Sequence, residues 1–201
     1  MLVKIASAAI LGLEAYLVEV EVDSQRGLPG QSIVGLPDAA VRESRDRVRA
    51  ALENSGFSTP PGYFTINLAP ADIKKEGPLY DLPIALGMLV VSEQIKLAQF
   101  NGVVLGELSL DGSVRGVNGV LAISLSIKKA GRHQIMVARE NADEAALVEG
   151  LEVIPVNSLK EAASYLSGEI KIEAHKIDIN LLFPPEPDYG IDFPMSKDKS
   201  M

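Results

Sequence analysis

The chain has 201 residues, with 19 Lys and Arg against 27 Asp and Glu, a formal net charge of −8 and no cysteine. That length suits one domain with or without an appendage, able to bury about 70% of the surface its unfolded chain exposes. The missing cysteines exclude disulfides, thiolate metal sites and cysteine nucleophiles. The acidity means that contact with a phosphate backbone would need a local basic patch.

Residues 2–10 and 13–23 read as two strands turning at Gly12. In the second, Ala15, Leu17, Val20 and Val22 alternate with acids as in a half-solvated strand. Glu14 breaks the early apolar run, so the N-terminus reads as strand rather than signal peptide. No stretch reaches the ~20 apolar residues of a membrane span, and a cytoplasmic location is expected. A Gly/Pro-rich connection at residues 26–30 precedes a short apolar run, residues 32–36. Asp38 is placed to cap a helix over 39–55, with Ala40, Val41, Ser44, Val48, Ala51 and Leu52 on one face and Arg42, Arg45, Arg49 and Glu53 on the other.

Residues 63–68 read as a strand and 71–79 as a polar loop. A nearly all-apolar helix follows at about 82–93, which must be enclosed by other elements. Residues 97–105 lead into a strand, and Asp111-Gly112 marks a hairpin turn. The remainder alternates: helix 119–130, strand 134–138, helix 141–148, strand 151–155, and helix 158–167 opened by Ser158 and Glu161 as a capping box. Beyond Gly168 the pattern decays, and residues 183–188 have linker composition.

Catalytic motifs are scarce. No segment matches a P-loop, a dinucleotide glycine fingerprint, an HExxH helix or a GxSxG elbow; residues 106–112 have the wrong glycine spacing and no Lys. Asp72 with Glu76, and Glu19 with Glu21, read as solvated acids rather than catalytic pairs. His133 and His175 lie far apart and make no zinc site by themselves. Arg42, Arg45 and Arg49 share one side of a helix. They suit either a solvated face or a contact surface for protein or nucleic acid, arginine being matched to carboxylates and phosphates.

Two stretches carry a family resemblance. IVGLPDAAVRESRDRVRAAL (residues 33–52) resembles the N-terminal signature of the ComM/YifB family, magnesium-chelatase-related AAA+ proteins associated with bacterial competence. YFTINLAPADIKKEGPLYDLPIALGML (residues 63–89) and GELSLDGSVRGVNGVLA (residues 106–122) look like the blocks that follow. The resemblance covers most of residues 1–167. It implies an α+β fold of the Lon-protease proteolytic-domain-like, ribosomal-protein domain-like type, a mixed sheet packed with helices. Residues 1–168 would form this domain and 169–201 a linker and tail leading toward a AAA+ domain.

The resemblance also assigns vacancies. Lon-type peptidases place their serine in an Asp-Gly-Pro-Ser-Ala-Gly loop, which corresponds here to Glu76, Gly77, Pro78, Leu79, Tyr80 and Asp81. The position of the lysine falls on Leu121. Leucine supplies neither nucleophile nor base, so the resemblance implies no enzyme in this chain. Ser124 or Ser126 with Lys128 or Lys129 would be a poor substitute, the lysines sitting near the far end of the helix. In resembling proteins the chemistry belongs to the following AAA+ module, which binds ATP and Mg²⁺, forms hexamers and, for ComM, drives DNA branch migration. Asp192-Phe193 resembles the entry to that module, and the chain reads as an isolated N-terminal domain ending at the linker. Its implied role is accessory: contacts with the AAA+ domain, with other subunits or with DNA, through Arg42, Arg45, Arg49 and residues 27–30. A Lon-like ATP-dependent serine peptidase is the alternative, and a role in pigment synthesis a weaker third.

Overall fold

Period-two alternation builds the first sheet. In the computed structural model, which describes residues 1–177 apart from Leu13, Pro60 and Gln99, β1 (Leu2–Leu11) pairs antiparallel with β2 (Glu14–Gln25). Val18, Val20 and Val22 are the fully buried face of β2. Ala15 and Leu17, which the pattern groups with Val20 and Val22, fall on the opposite parity. They are half-buried because a later helix lies beside that end of the strand, where Ser126 Oγ accepts from the Ala15 amide at 3.3 Å.

The 26–30 connection delivers β3 (Gly30–Val34), and α1 (Ala39–Asn54) crosses over to β4 (Tyr63–Ala69). Asp38 caps α1 as expected, its Oδ1 accepting from the Val41 amide at 2.7 Å. Val41, Ser44, Val48, Ala51 and Leu52 are buried. β4 lies antiparallel to β2 and parallel to β3, giving a mixed sheet in the order β1-β2-β4-β3. One turn of 3-10 helix, Pro78–Tyr80, runs into α2 (Asp81–Val91), and every residue of α2 is buried. Gly87 lets this helix lie directly on the sheet, since a Cβ there would stand 2.6 Å from Val22 Cγ2.

The second half does not extend that sheet. β5 (Val103–Val104) leads to a two-stranded hairpin, β6 (Glu107–Leu108) and β7 (Val114–Arg115). The Asp111 carboxylate holds the hairpin turn by accepting from the Ser113 amide at 2.9 Å and its hydroxyl at 2.7 Å, bonds that keep its pKa below the usual carboxylate range. Then come α3 (Val120–Lys129), β8 (Gln134–Ala138), α4 (Ala142–Ala146), β9 (Glu152–Val156) and α5 (Leu159–Leu166). β5, β8 and β9 form a separate parallel sheet in that order. The two sheets meet where Ser7 Oγ donates to the Val104 carbonyl at 3.0 Å in the core.

The molecule is therefore mixed α and β, with sheets packed against helices. The described strands divide among three sheets instead of one mixed sheet, because β5 pairs over two residues only before the chain turns away. Two local expectations also shift. The helix read over 141–148 is a 3-10 turn at Arg139–Asn141 followed by the single short α4. At α5 the Ser158 hydroxyl accepts from the Glu161 amide at 3.1 Å, but the Glu161 carboxylate takes the Asn157 amide at 2.6 Å, so the box closes one residue earlier than expected. Contact with the domain persists past Gly168: Ile172 packs on the core and the His175 amide donates to the Val153 carbonyl at 2.8 Å. Residues 183–188 and Asp192-Phe193 lie outside the described residues.

Candidate functional site

Two clefts flank the buried helix α2, and each gathers residues singled out in the sequence. The first, of about 510 Å³, lies between the loop that precedes α2 and the loop that precedes α3; Glu76, Leu79, Glu107, Val117 and Asn118 are among its lining. Leu79 is 7% exposed and packs into the core. Its carbonyl accepts from the Gly106 amide at 3.1 Å, and Leu82 N donates back to the Gly106 carbonyl at 3.0 Å. Leu121 differs: it stands 36% exposed on α3 rather than packed against the facing loop.

The second loop has its amides committed. Gly116 N donates to Glu140 Oε2 at 3.0 Å, Val117 N to Asn141 Oδ1 at 2.8 Å and Leu121 N to Glu144 Oε1 at 2.8 Å. Glu140 and Asn141 belong to the turn before α4 and Glu144 to α4 itself. Glu144 also places a carboxylate at the N-terminal end of α3, where free N–H groups favour negative charge.

Behind the first loop sits a polar knot. Asp81, wholly buried, accepts from Arg47 Nε at 2.6 Å, Arg47 Nη2 at 3.0 Å, the Leu108 amide at 3.1 Å and the Ser44 hydroxyl. It thus ties α1, α2 and β6 together. The Asp81 carboxylate raises the pKa of the Arg47 guanidinium against the opposing effect of burial. Arg47 escapes a reading based on exposed arginines. Its spacing is the available signal: three residues after Ser44 and four before Ala51, it flanks the buried face.

The 71–79 stretch is not wholly solvated either. Lys75 is buried, its ammonium donating to the Pro70 carbonyl, and desolvation lowers its pKa. Backbone bonds explain the burial: Lys75 N donates to the Leu36 carbonyl and Asp38 N to that of Lys75, pinning the loop to the entry of α1. Asp38 adds its second oxygen to the Gly77 amide at 3.2 Å. Gly77 needs its φ of +78° there, a conformation that other residues rarely adopt. Tyr80 is fully buried with its hydroxyl unpartnered among the described residues, and burial, with Asp38 and Glu76 nearby, raises its pKa.

The second cleft, of about 370 Å³, opens between α1 and the start of β3. Arg45 and Arg49 line it together with Pro29, Gly30 and Gln31, so the arginine face and the 27–30 connection converge on one place. Parallel pairing of Gly30 with Tyr63 makes this convergence, bringing the loop before β4 alongside. Leu52, Phe64 and Met88 form an apolar floor. Arg42 is exposed on α1 but does not border the cleft.

Comparison with known proteins decides the family. Residues 20–141, more than half of the chain, match the family described as subunit ChlI of Mg-chelatase.

The chain belongs to the Mg-chelatase subunit ChlI family.

Among relatives of this ChlI-family domain, the Escherichia coli protein YifB is 44% identical over 171 residues, covering 84% of this chain and 33% of YifB. The competence protein ComM of Haemophilus influenzae is 43% identical over 169 residues, covering 83% of this chain and 33% of ComM. The chain thus spans about a third of the length of these relatives. The ChlI match contains Arg45, Arg49, the Arg47–Asp81 knot and both loops of the first cleft, whereas α5 lies outside it.

The remaining sequence candidates stay apart in the ChlI-family domain. Ser124 is buried rather than on the surface of α3, Ser126 accepts from Ala15, and the Lys128 ammonium donates to the Glu149 carbonyl. Lys4 bridges Glu19 at 2.9 Å and Glu21 at 3.0 Å. Glu76 pairs with Lys74 at 2.6 Å, leaving Asp72 exposed. His133 is exposed, and His175 meets Asp143 at 2.7 Å. Among the described residues no three His, Asp or Glu side chains are grouped to hold a metal ion, and no helix is long and apolar enough to cross a membrane.

Proposed function

We propose that this chain is a non-catalytic accessory domain of a ComM/YifB-type AAA+ ATPase, acting in subunit assembly or in contact with a partner or DNA. The observation that carries the reading is the second cleft, where Arg45, Arg49 and the end of the 27–30 connection, Pro29 and Gly30, form one surface with an apolar floor. Such a surface, anchored on rigid α1, is suited to contact rather than to bond-breaking chemistry.

The first cleft supports the same reading from the other side. Leu79 offers no nucleophile and Leu121 no base. The amides of Gly116, Val117 and Leu121 already donate to side chains of residues 140–144, so they are not free to stabilise a developing oxyanion. These features favour the accessory reading over a Lon-like peptidase.

ATP and Mg²⁺ belong, in this proposal, to the remaining length of the parent protein. In support, residues 106–112 run through the β6–β7 hairpin instead of a phosphate-cradling turn at a helix. The Lon-like character of the fold, a hexameric ring, a cytoplasmic location and a part in competence and branch migration belong to the same proposal. The name of the relative ComM lends the last of these its support.

The test is Arg42→Glu/Arg45→Glu/Arg49→Glu in the full-length protein that carries this domain, read by DNA-stimulated ATP hydrolysis. The proposal expects at least a fivefold loss of stimulation. Unchanged stimulation would sink a role for this face.

A further inference from the structure

The first sheet leaves one length of strand unpaired, at the start of β1. β1 pairs with β2, and β4 and β3 follow on that same side, so the other side of β1 is an edge of the sheet. Ala15, opposite Ile10, gives its amide to Ser126 rather than to β1. Alternation along an antiparallel ladder then turns the backbone N–H and C=O groups of Leu2, Lys4 and Ala6 outward. Among the described residues, no backbone hydrogen bond reaches residues 2–6 from outside β2. Further along, the Ser7 hydroxyl donates to the Val104 carbonyl, and there a neighbouring segment covers the edge.

A groove follows the open length. Two cavities, of about 130 and 580 Å³, share Lys4 and Leu97 in their linings and so adjoin. Their outer wall is pinned from behind. Ala98 N donates to the Leu166 carbonyl at 2.9 Å, the Phe100 ring meets that of Tyr165 edge-on at 6.3 Å, and Arg132 Nη1 donates to the Asn101 carbonyl at 3.3 Å. Val90, Ile95, Leu97 and Phe100 give the groove apolar surface. A lysine at such a position ordinarily guards an edge against strand pairing. Lys4 does not, because Glu19 and Glu21 draw its ammonium across β2 at 2.9 and 3.0 Å. The other two cations stand one in each cavity, Arg132 in the smaller and Lys96 in the larger.

We infer that residues 2–6 of β1 receive a strand from a partner protein, an extended segment with acids at its ends and apolar residues between. Backbone pairing with Leu2, Lys4 and Ala6 supplies affinity, and apolar side chains of the segment enter the two cavities. Its terminal carboxylates meet Lys96 and Arg132. A second copy of this chain is the poorer occupant, since antiparallel pairing of residues 2–6 with themselves sets Lys4 directly against its own copy. The groove lies at the opposite end of β1 from Ile10, which borders the first cleft, and shares no lining residue with the arginine cleft. The inference therefore does not depend on the accessory role proposed above.

The probe is the capped peptide Glu-Val-Thr-Val-Asp-Ile-Thr-Val-Glu, titrated into the full chain. Strand addition predicts saturable binding that slows hydrogen exchange of the Lys4 and Ala6 amides by about tenfold or more, while those of Val3 and Ile5, already turned toward β2, do not change. N-methylation of alternate peptide residues should abolish binding in one parity and spare it in the other, a pattern that side-chain adhesion alone does not produce. Lys96→Glu and Leu97→Asp, both at exposed positions of the wall, should each weaken binding by about tenfold. Absence of saturable binding would overturn the inference, as would equal effects of the two methylation parities or unchanged exchange at Lys4 and Ala6. Slowing of that exchange by raised chain concentration without peptide would also overturn it, in favour of a second copy.

Discussion

Arg47 on α1 grips Asp81, the first residue of α2, through two guanidinium hydrogen bonds at 2.6 and 3.0 Å. The carboxylate is wholly buried and the guanidinium retains 20% side-chain exposure. The pair therefore joins two helices at the point where the chain emerges from the Leu79 turn. Ser44 and the Leu108 amide complete the acceptor set of Asp81, leaving no lone pair idle at the junction.

Removing the acid breaks four hydrogen bonds at once. Asp81→Ala is expected to lower stability by about 3–5 kcal/mol, the usual result of leaving a buried charge without its partner. Arg47→Met combined with the same Asp81→Ala should recover part of that loss. Urea denaturation of the four members of the cycle gives the coupling; additive effects would contradict a shared knot.

Lys75 and Tyr80 set opposite slopes with pH. Burial lowers the pKa of Lys75, so between that lowered value and the unfolded value of about 10.4 the unfolded chain binds more protons, and stability rises with pH. Burial raises the pKa of Tyr80. Above about pH 10 the unfolded chain releases the phenolic proton first, and stability falls. Thermal melts from pH 8 to 11 should show Lys75→Met flattening the rise and Tyr80→Phe abolishing the fall. Because the Tyr80 hydroxyl has no partner among the described residues, Tyr80→Phe should also gain about 1 kcal/mol at neutral pH.

Gly87 sits where α2 presses on β2. A Cβ there would meet Val22 Cγ2 at 2.6 Å, so Gly87→Ala is expected to destabilise by about 1–3 kcal/mol despite its better helix propensity. Combining it with Val22→Ala should relieve part of the strain. A stabilised single variant would show that the helix can lift off the sheet without loss.

Much of this architecture was legible in the chain. The Asp38 cap and the apolar face of α1 follow from local rules, as does the enclosed character of α2. Local rules failed where a tertiary neighbour decides. Ala15 and Leu17 belong to the other face of β2 because α3 covers that end. Lys75 looks like a loop cation until backbone bonds to residues 36–38 draw it inward. Arg47 and Asp81 each signal oddly by themselves, an arginine beside a buried helix face and an acid opening an apolar helix. Separated by 34 residues, nothing in the spacing joins them. The same holds for the arginine cleft: α1 shows Arg45 and Arg49, but only the β3–β4 pairing brings residues 29–31 to them.

Peptide hydrolysis separates the accessory role from a peptidase. Casein or a fluorogenic peptide incubated with the chain should show no turnover that a serine-directed inhibitor reduces. Inhibitor-sensitive cleavage would restore the peptidase reading and require a nucleophile other than residue 79.

The central claim is that the arginine face serves assembly or partner contact in the parent protein. Sedimentation velocity of that full-length protein with ATP tests it most directly, comparing wild type with Arg42→Glu/Arg45→Glu/Arg49→Glu. These side chains are exposed, so the fold should hold to within about 0.5 kcal/mol. The account predicts that the reversed protein sediments as smaller species than wild type. Identical sedimentation profiles, with the fold intact, would contradict it.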